Sequence, residues 1–290
     1  MRQMMPARIF FETSAAQLTA QVEQEFFSSL MASNRTYKTT FRQRFADVNP
    51  HLIDHLPRDT AQPLRVLDIG ISYGVSTAEL YDDLRRAGLA ATIVATDVLI
   101  DACLVRVGPN CHVLLDRSGF PLRFDLPWGS MKPWVIADDY RTGRFLYRKA
   151  INVTLTRRAR RILADPADPR IKRVRLVAPR LLANDDITVC TDDAAVYNPA
   201  LANKFDLIRA ANVLNKGYFS DAILASMIAN ARRYLRAANA HLFVVRTHQD
   251  NTNHGTLFRL GEGHRFEVVW RLGDGSEIEP IVLASRVAAG

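Results

Sequence analysis

From Leu64 onward, the sequence alternates short apolar runs with amphipathic stretches. Residues 65–69 predict a buried strand, residues 76–87 predict a helix closed by Gly88, and residues 91–96 predict a second strand. A strand, a helix and a second strand in this order form a parallel pair joined by a right-handed crossover. This unit places the chain in the α/β class, with a parallel sheet at its centre.

The alternation continues after residue 180. Three further strands are predicted at residues 186–191, 205–209 and 241–246, and a helix at residues 220–235 crosses between the last two. Near the end of the chain, residues 265–272 and 276–284 flank Gly273-Asp274-Gly275. An Asp-Gly pair between apolar runs predicts a hairpin.

Residues 1–63 precede the alternation and are predicted to form a helical N-terminal cap. Apolar residues at helical spacing indicate a helix over residues 14–32, with Ser14 as its N-cap. A second helix is expected over residues 40–56, broken at Pro50. The cap is followed by the core at residues 64–290.

Roughly 85 residues separate the second predicted strand from the third, far more than the ~10 to 20 that a crossover helix requires. An inserted basic and aromatic segment is therefore expected at residues 110–180. Residues 112–124 alternate around Ser118-Gly119 like a hairpin, and a basic helix is predicted near residues 144–163.

A glycine-containing turn, Asp68-Ile69-Gly70-Ile71-Ser72-Tyr73-Gly74, follows the first predicted strand. Gly70 and Gly74 permit a tight turn and close approach of a ligand to the backbone. The next helix begins around Val75 to Thr77 and directs its free N–H groups into the same crevice. In open parallel sheets, ligands bind in such a crevice beyond the carboxyl ends of the strands.

Acidic residues end the first three predicted strands and suggest which ligand the crevice holds. Dinucleotide sites usually surround a pyrophosphate with G-x-G-x-x-G, and Ser72 departs from that pattern. A ligand with an amino-acid tail could place its ammonium on Asp68, and Asp97 could accept both ribose hydroxyls. Asp192 or Asp193 could accept the adenine amino group. A helix cap at Asp97 and a surface turn at Asp192 and Asp193 remain alternatives.

Taken in order, these pieces resemble class I S-adenosylmethionine (SAM) dependent methyltransferases over residues 64–290. The resemblance implies a Rossmann-like sheet of seven strands with an antiparallel seventh strand. It also implies SAM as cofactor, with Gly70, Ser72, Gly74 and Thr77 in the cofactor site, and methyl transfer to an oxygen or nitrogen of a small molecule.

A second, local resemblance covers residues 204–214, and it is to the FDxIxxxNVL segment of another group of methyltransferases. The residues are Lys204-Phe205-Asp206-Leu207-Ile208-Arg209-Ala210-Ala211-Asn212-Val213-Leu214. This group is the protein-glutamate O-methyltransferases that modify chemotaxis receptors. Two other functions stay open, a noncatalytic SAM-binding or partner-binding protein and a methyltransferase that acts on protein or RNA. An NAD-dependent oxidoreductase is disfavoured by the serine in the turn.

Candidate catalytic residues follow the fourth and fifth predicted strands. Asn212 could orient donor or acceptor through its amide, and Tyr218 could stack on the acceptor or hydrogen-bond to it. His248 lies in a polar loop at residues 247–254 and has a suitable pKa class for a general base. A solvated loop histidine is the alternative. No metal is expected, because His248, Asp250 and His254 lack a diagnostic spacing.

Charge and composition limit the possible partners. The net charge is +8, and residues 141–180 hold thirteen cations against two anions. This basic segment could meet an acidic substrate, RNA or an anionic membrane, or could be a solvated face. Three cysteines without CxxC spacing argue against disulfides and structural zinc. Without a membrane-length apolar run or a secretory signal, a cytoplasmic protein is expected.

Overall fold

The structure is a computed structural model that describes residues 4–32, 37–38, 40–58, 62–134, 140–141 and 143–285. The chain divides into two compact units. We call Phe41–Val98 with Arg180–Gly290 the core unit, and Met1–Thr40 with Leu99–Pro179 the insertion unit. The first forty residues therefore belong to the same unit as the insertion, whereas the sequence predicts one cap over residues 1–63.

The described helices and strands are numbered in chain order. The helices are α1 (Ala7–Glu12), α2 (Ala20–Ser28), α3 (Asn49–Asp54), α4 (Val75–Arg86), α5 (Arg144–Leu163), α6 (Pro179–Leu182), α7 (Asp221–Tyr234) and α8 (Glu279–Ala284). The strands are β1 (Leu64–Ile69), β2 (Ala91–Asp97), β3 (Asp101–Gly108), β4 (Cys111–Asp116), β5 (Pro121–Leu126), β6 (Gly129–Met131), β7 (Ile171–Arg175), β8 (Ile187–Thr191), β9 (Leu207–Ala211), β10 (His241–Thr247), β11 (Asn253–Leu260) and β12 (Phe266–Leu272).

The core unit contains a Rossmann-like sheet. In the described part of the chain its seven strands lie in the order β12-β11-β10-β9-β1-β2-β8. Five neighbouring strands, β10, β9, β1, β2 and β8, run parallel. These are the five strands that the sequence predicted, so the α/β fold class is confirmed.

The C-terminal end of the sheet differs from the prediction. The predicted hairpin of residues 265–272 with 276–284 is wrong, because β12 pairs antiparallel with β11 and the second arm forms α8. Pro280 lies in the first turn of α8, where proline favours a helix and where it could not donate to a strand ladder. β11 is also antiparallel to β10. The antiparallel strand is thus the sixth of the sheet along the chain, not the seventh.

The N-terminal helices are shorter than predicted. α2 begins after Thr19, whose hydroxyl oxygen accepts the Val22 N–H at 3.3 Å. Ser14 instead precedes a single 3₁₀ turn and donates its hydroxyl to the Gln17 side chain. Pro50 stands in the first turn of α3, so it starts this helix rather than breaking a longer one.

α7 covers the part of the core that supports the candidate site. Ser220 is its N-cap and accepts the Ile223 N–H at 3.4 Å. Leu224, Ile228 and Ala231, spaced at helical intervals, are buried in one apolar cluster with residues of β9 and β10. The helix therefore holds these two strands in place by burying apolar surface.

The insertion unit contains an antiparallel sheet with the strand order β6-β5-β4-β3-β7. The predicted hairpin is confirmed as β4 and β5, and the predicted basic helix is confirmed as α5. Ile151, Leu155, Ala159 and Ile162 form the face of α5 that packs on the sheet. The strands β3 and β7 were not predicted. Among the described residues, no helix is long and apolar enough to cross a membrane.

His241 at the start of β10 makes stability depend on pH. The side chain is buried, and this burial lowers the pKa of the imidazole to about 4, with the charges of Arg259 and His55 acting in the same direction. Because the unfolded chain binds this proton at higher pH than the folded chain, folding stability falls as the pH drops from about 6.5 to about 4. At pH 4 the loss amounts to about 3 kcal/mol.

The His241→Gln variant is expected to lose this part of the acid sensitivity, since glutamine does not titrate. Urea denaturation of the parent and the variant between pH 7 and pH 4 measures the difference. His264→Asn, at an exposed position, is the control and should keep the parent profile. Identical acid profiles for His241→Gln and the parent would contradict the assignment.

Candidate functional site

The strand order of the core sheet reverses between β1 and β9. From β1 the chain continues to β2 and β8 on one side of the sheet, and returns to β9 and β10 on the other. Open parallel sheets bind ligands beyond the carboxyl ends of the strands at such a switch point. The segments that follow β1, β2, β8, β9 and β10 therefore define the candidate site.

Three residues of the glycine turn have left-handed backbone conformations: Gly70 with φ of 71°, Ser72 with 59° and Gly74 with 87°. At Gly70 a Cβ atom would lie 2.0 Å from Cγ2 of Val213, the second residue after β9. The position therefore requires glycine for both its conformation and its contact. Gly74 is the N-cap of α4 and provides no side-chain cap.

Asp97 ends β2 and contacts the glycine turn directly. Its Oδ2 accepts the backbone N–H of Ser72 at 2.7 Å. The N–H groups of Gly70 and Ile71 donate to the Thr96 carbonyl at 2.7 and 3.1 Å. The structure thus brings the turn and Asp97 together, and β2 holds the turn through both the backbone and a carboxylate.

Asp68 lies beneath the turn and is 1% exposed. Its carboxylate accepts hydrogen bonds from Arg209 Nε at 2.9 Å, from Arg209 Nη2 at 2.6 Å and from the Thr77 hydroxyl at 2.7 Å. Thr77 is itself fully buried. The sequence suggested that Asp68 and Thr77 contact the cofactor, but in the structure their polar groups are bonded to each other and to Arg209.

Arg209 was not predicted as a site residue. It lies in the middle of β9, directly opposite Asp68 in the parallel register, and is 1% exposed. Its Cζ is 5.8 Å from the centre of the Phe45 ring, a cation–π contact. The sequence does contain a signal for Arg209, since it and Asp68 are charged residues within two apolar strands. A buried charge needs a partner of opposite charge.

The two acidic residues after β8 occupy different positions. The backbone N–H of Asp192 donates to the Asp97 carbonyl at 3.2 Å, and its half-buried side chain accepts the Asn198 amide at 2.7 Å. Burial raises the pKa of Asp192, and the charge of Asp193 adds to this rise. Asp193 is exposed and accepts the Ala195 N–H at 3.0 Å, which closes a local turn. Asp192 is thus the one beside Asp97.

Asn212 follows β9 and bonds to the end of β10. Its Oδ1 accepts the Thr247 N–H at 2.8 Å, and its Nδ2 donates to the Thr247 hydroxyl at 3.4 Å. Arg44 Nε also donates to this hydroxyl, at 2.9 Å. Burial lowers the pKa of Arg44, and Tyr218 acts in the opposite direction. Arg44 therefore belongs to the same edge of the sheet, although it was not predicted as a site residue.

Tyr218 and His248 are exposed at this edge. Tyr218 is 65% exposed and follows β9, while His248 lies in the turn between β10 and β11. The His248 ring is 4.5 Å from the His254 ring, centre to centre. The backbone N–H of Asp274 donates to His254 Nδ1 at 3.1 Å. Within the described residues, no group of three histidine, cysteine or acidic side chains is placed to bind a metal.

Comparison with known proteins gave structural matches only. No protein-family model and no curated protein matches the chain. The solved structures that match include phosphoethanolamine N-methyltransferase 1 of Haemonchus contortus, at 16% identity, 81% coverage of this chain, 34% of that chain and a TM-score of 0.36. The CMeT domain of the citrinin polyketide synthase matches at 15% identity, 68% and 32% coverage and a TM-score of 0.33.

A third match is the [4+2]-cyclase SpnF, at 13% identity, 75% and 50% coverage and a TM-score of 0.35. The chain spans about a third to a half of the length of these structures. The local resemblance of residues 204–214 to chemotaxis-receptor methyltransferases stays a prediction.

Gly70→Ala is expected to destabilise the core unit by about 3 kcal/mol or more, because the new Cβ overlaps Val213 and the left-handed conformation becomes strained. Gly88→Ala is the matched control, since Gly88 also has a positive φ of 79° but a Cβ added there would meet no atom within 4 Å. It should lose only about 1 to 2 kcal/mol. Urea denaturation compares the two, and equal losses would contradict the close contact.

Arg209→Met is expected to cost about 3 to 5 kcal/mol, because it leaves the Asp68 carboxylate buried without its cation. Arg259→Met removes an exposed pair with Glu267 and should cost less than about 1 kcal/mol. Adding Asp68→Asn to Arg209→Met should recover part of the loss, since the uncompensated charge is then gone. Equal stability of Arg209→Met and Arg259→Met would show that the buried pair of Asp68 and Arg209 does not stabilise the fold more than an exposed pair does.

Proposed function

We propose that this chain is a SAM-dependent methyltransferase that acts on an oxygen or nitrogen of a small molecule. The observation that carries the proposal is the hydrogen bond from the Ser72 N–H to Asp97 at the switch point of the sheet. This hydrogen bond places a tight glycine turn and the carboxylate at the end of the adjacent strand in the same crevice.

Asp97 has the chemistry and position to bind a ribose. A carboxylate has about four acceptor positions, enough for the Ser72 N–H and for both hydroxyls of a vicinal diol. Asp192 is hydrogen-bonded to Asp97 through the backbone and carries a half-buried carboxyl group. We therefore assign Asp97 to the ribose and Asp192 to the adenine amino group, with Asp193 closing the turn next to it.

The turn is less suited to a pyrophosphate. A pyrophosphate site uses several glycines so that backbone N–H groups can surround the phosphate oxygens. Here Ser72 occupies one of the left-handed positions, and its N–H is already directed to a carboxylate.

The proposal assigns Asp68 a different role from the one the sequence suggested. With three hydrogen bonds and 1% exposure, the carboxylate is not open to the ammonium of a bound ligand. We assign Asp68, Arg209 and Thr77 to holding the glycine turn on the sheet from below. Gly70, Ser72 and Gly74 then face the cofactor with their backbone.

SAM supplies an electrophilic methyl group on a sulfonium. The task of the chain is to align a nucleophile with that methyl group and, where the nucleophile carries a proton, to remove it. We propose that Asn212 acts by fixing the end of β10, since its amide is bonded to Thr247. The exposed Tyr218 would contact the acceptor, and the exposed His248 would serve as the general base.

The cofactor assignment is tested by calorimetric titration with S-adenosylhomocysteine, with NAD as the comparison ligand. The parent chain should bind the adenosyl compound and not NAD. Asp97→Asn should weaken binding by about tenfold or more, because a charge-assisted pair of hydrogen bonds to the ribose is lost. Asp193→Asn, at the exposed turn, is the matched control and should bind as the parent does.

Preferential binding of NAD, or equal affinities of the two aspartate variants, would contradict the proposal. The enzymatic part has its own test, transfer of a labelled methyl group from SAM to a panel of metabolites, peptides and RNA. Transfer to metabolites supports the small-molecule assignment, and transfer to peptide or RNA alone overturns it. Binding without any transfer would favour the noncatalytic SAM-binding alternative.

A further inference from the structure

The positive charge of the chain is concentrated in the insertion unit. This unit has 20 lysines and arginines against 10 aspartates and glutamates, a net charge of +10, whereas the core unit has 18 against 20. α5 alone contains seven cations and no acidic residue. A charge of this size attracts anions in general. A specific anion site is expected where several cations line one cavity.

A groove with a volume of about 370 Å³ lies within the insertion unit, beside the C-terminal end of α5. The antiparallel register of β3 and β7 places Asp101 opposite Arg175, and Cys103 opposite Arg173. Residues directly opposite each other project from the same face of the sheet. The remaining lining residues are Ala102, Arg117, Leu163, Pro166, Ile171 and Val174.

Three arginines and one carboxylate determine the charge of this groove. Arg117 Nη2 lies 2.6 Å from Asp101 Oδ2, and Arg175 Nε lies 3.9 Å from Asp101 Oδ1. Among the described residues, no carboxylate is within ion-pairing distance of Arg173. Asp101 thus lies within ion-pairing distance of two of the guanidinium groups, and the three arginines and one carboxylate leave the groove with an excess of two positive charges.

The other side of the groove is apolar. Leu163 and Ile171 belong to the apolar cluster under α5, and Pro166 follows the helix. Cys103 is half-buried between them and the arginines, and burial raises the pKa of its thiol, although Arg173 and Arg117 act in the opposite direction. The neutral thiol and the aliphatic side chains give this side of the groove an apolar surface, on which the organic part of a ligand can pack.

We infer that this groove binds small phosphomonoesters, with the phosphate on Arg117, Arg173 and Arg175 and the organic group against Leu163 and Pro166. A phosphomonoester is nearly dianionic at neutral pH, which matches the excess of two positive charges. Guanidinium groups form paired hydrogen bonds to phosphate oxygens. The volume falls within the usual range for small-molecule sites, about 300 to 1,000 Å³. This inference does not depend on the proposed methyl transfer.

Titration calorimetry at constant ionic strength tests the inference with two probes, phenyl phosphate and inorganic phosphate. Phenyl phosphate should bind more tightly, because its ring buries apolar surface that inorganic phosphate lacks. Arg173→Gln should weaken its binding by about tenfold, since one charge-assisted hydrogen bond is lost. Arg157→Gln removes the same charge from the exposed face of α5 and should leave binding unchanged.

Alkylation of cysteines, followed by mass spectrometry, locates the bound phosphate. Phenyl phosphate should slow the modification of Cys103 in the parent chain and in Arg157→Gln, but not in Arg173→Gln, and should leave Cys190 of the core unit unaffected. Binding that does not protect Cys103, or equal weakening by the two arginine variants, would overturn the inference. Equal affinity for inorganic phosphate would assign the groove to free phosphate and overturn the ester assignment.

Discussion

The buried ion pair of Asp68 and Arg209 is the interaction on which the candidate site depends. It joins β1 to β9 at the switch point of the sheet, where both residues are 1% exposed. A buried charge is stable only when it is paired and hydrogen-bonded. Two bonds from Arg209 and one from Thr77 meet this requirement for the Asp68 carboxylate, whereas Nη1 of Arg209 has no hydrogen-bond partner among the described residues. Through these bonds the pair connects three elements of the site. They are β1, which precedes the glycine turn, α4, which follows it, and β9, which precedes Asn212.

The proposed function follows from how the turn is held above this pair. Gly70 reaches Val213 so closely that only glycine fits, and the Ser72 N–H is bonded to Asp97. The upper surface of the turn thus presents backbone groups and the Asp97 carboxylate, which can accept the hydroxyls of a ribose. We place anion recognition instead in the insertion unit, where Arg117, Arg173 and Arg175 line one groove together with a single aspartate.

The sequence predicted the elements whose signals are local. The five parallel strands, the turn at residues 68–74 and the basic helix α5 each have their own periodicity or glycine pattern, and the structure confirms these elements. A charged residue within an apolar strand indicates that Asp68 and Arg209 each need a partner. That they pair with each other does not follow from the sequence, because it requires the register of two strands whose paired residues lie 141 positions apart. β7 was not predicted, because Lys172, Arg173 and Arg175 obscure its alternation of apolar and polar residues. The predicted C-terminal hairpin was wrong because Pro280 lies in the first turn of a helix.

We expect the crevice above the Gly70 turn to hold an adenosyl amino acid, and a structure determined with S-adenosylhomocysteine would show whether it does. Both ribose hydroxyls should lie on the Asp97 carboxylate, and the adenine should lie beside Asp192. Binding of the compound at any other place, or a nucleotide phosphate seated over residues 70–74 in a parallel experiment with NAD, would contradict this expectation.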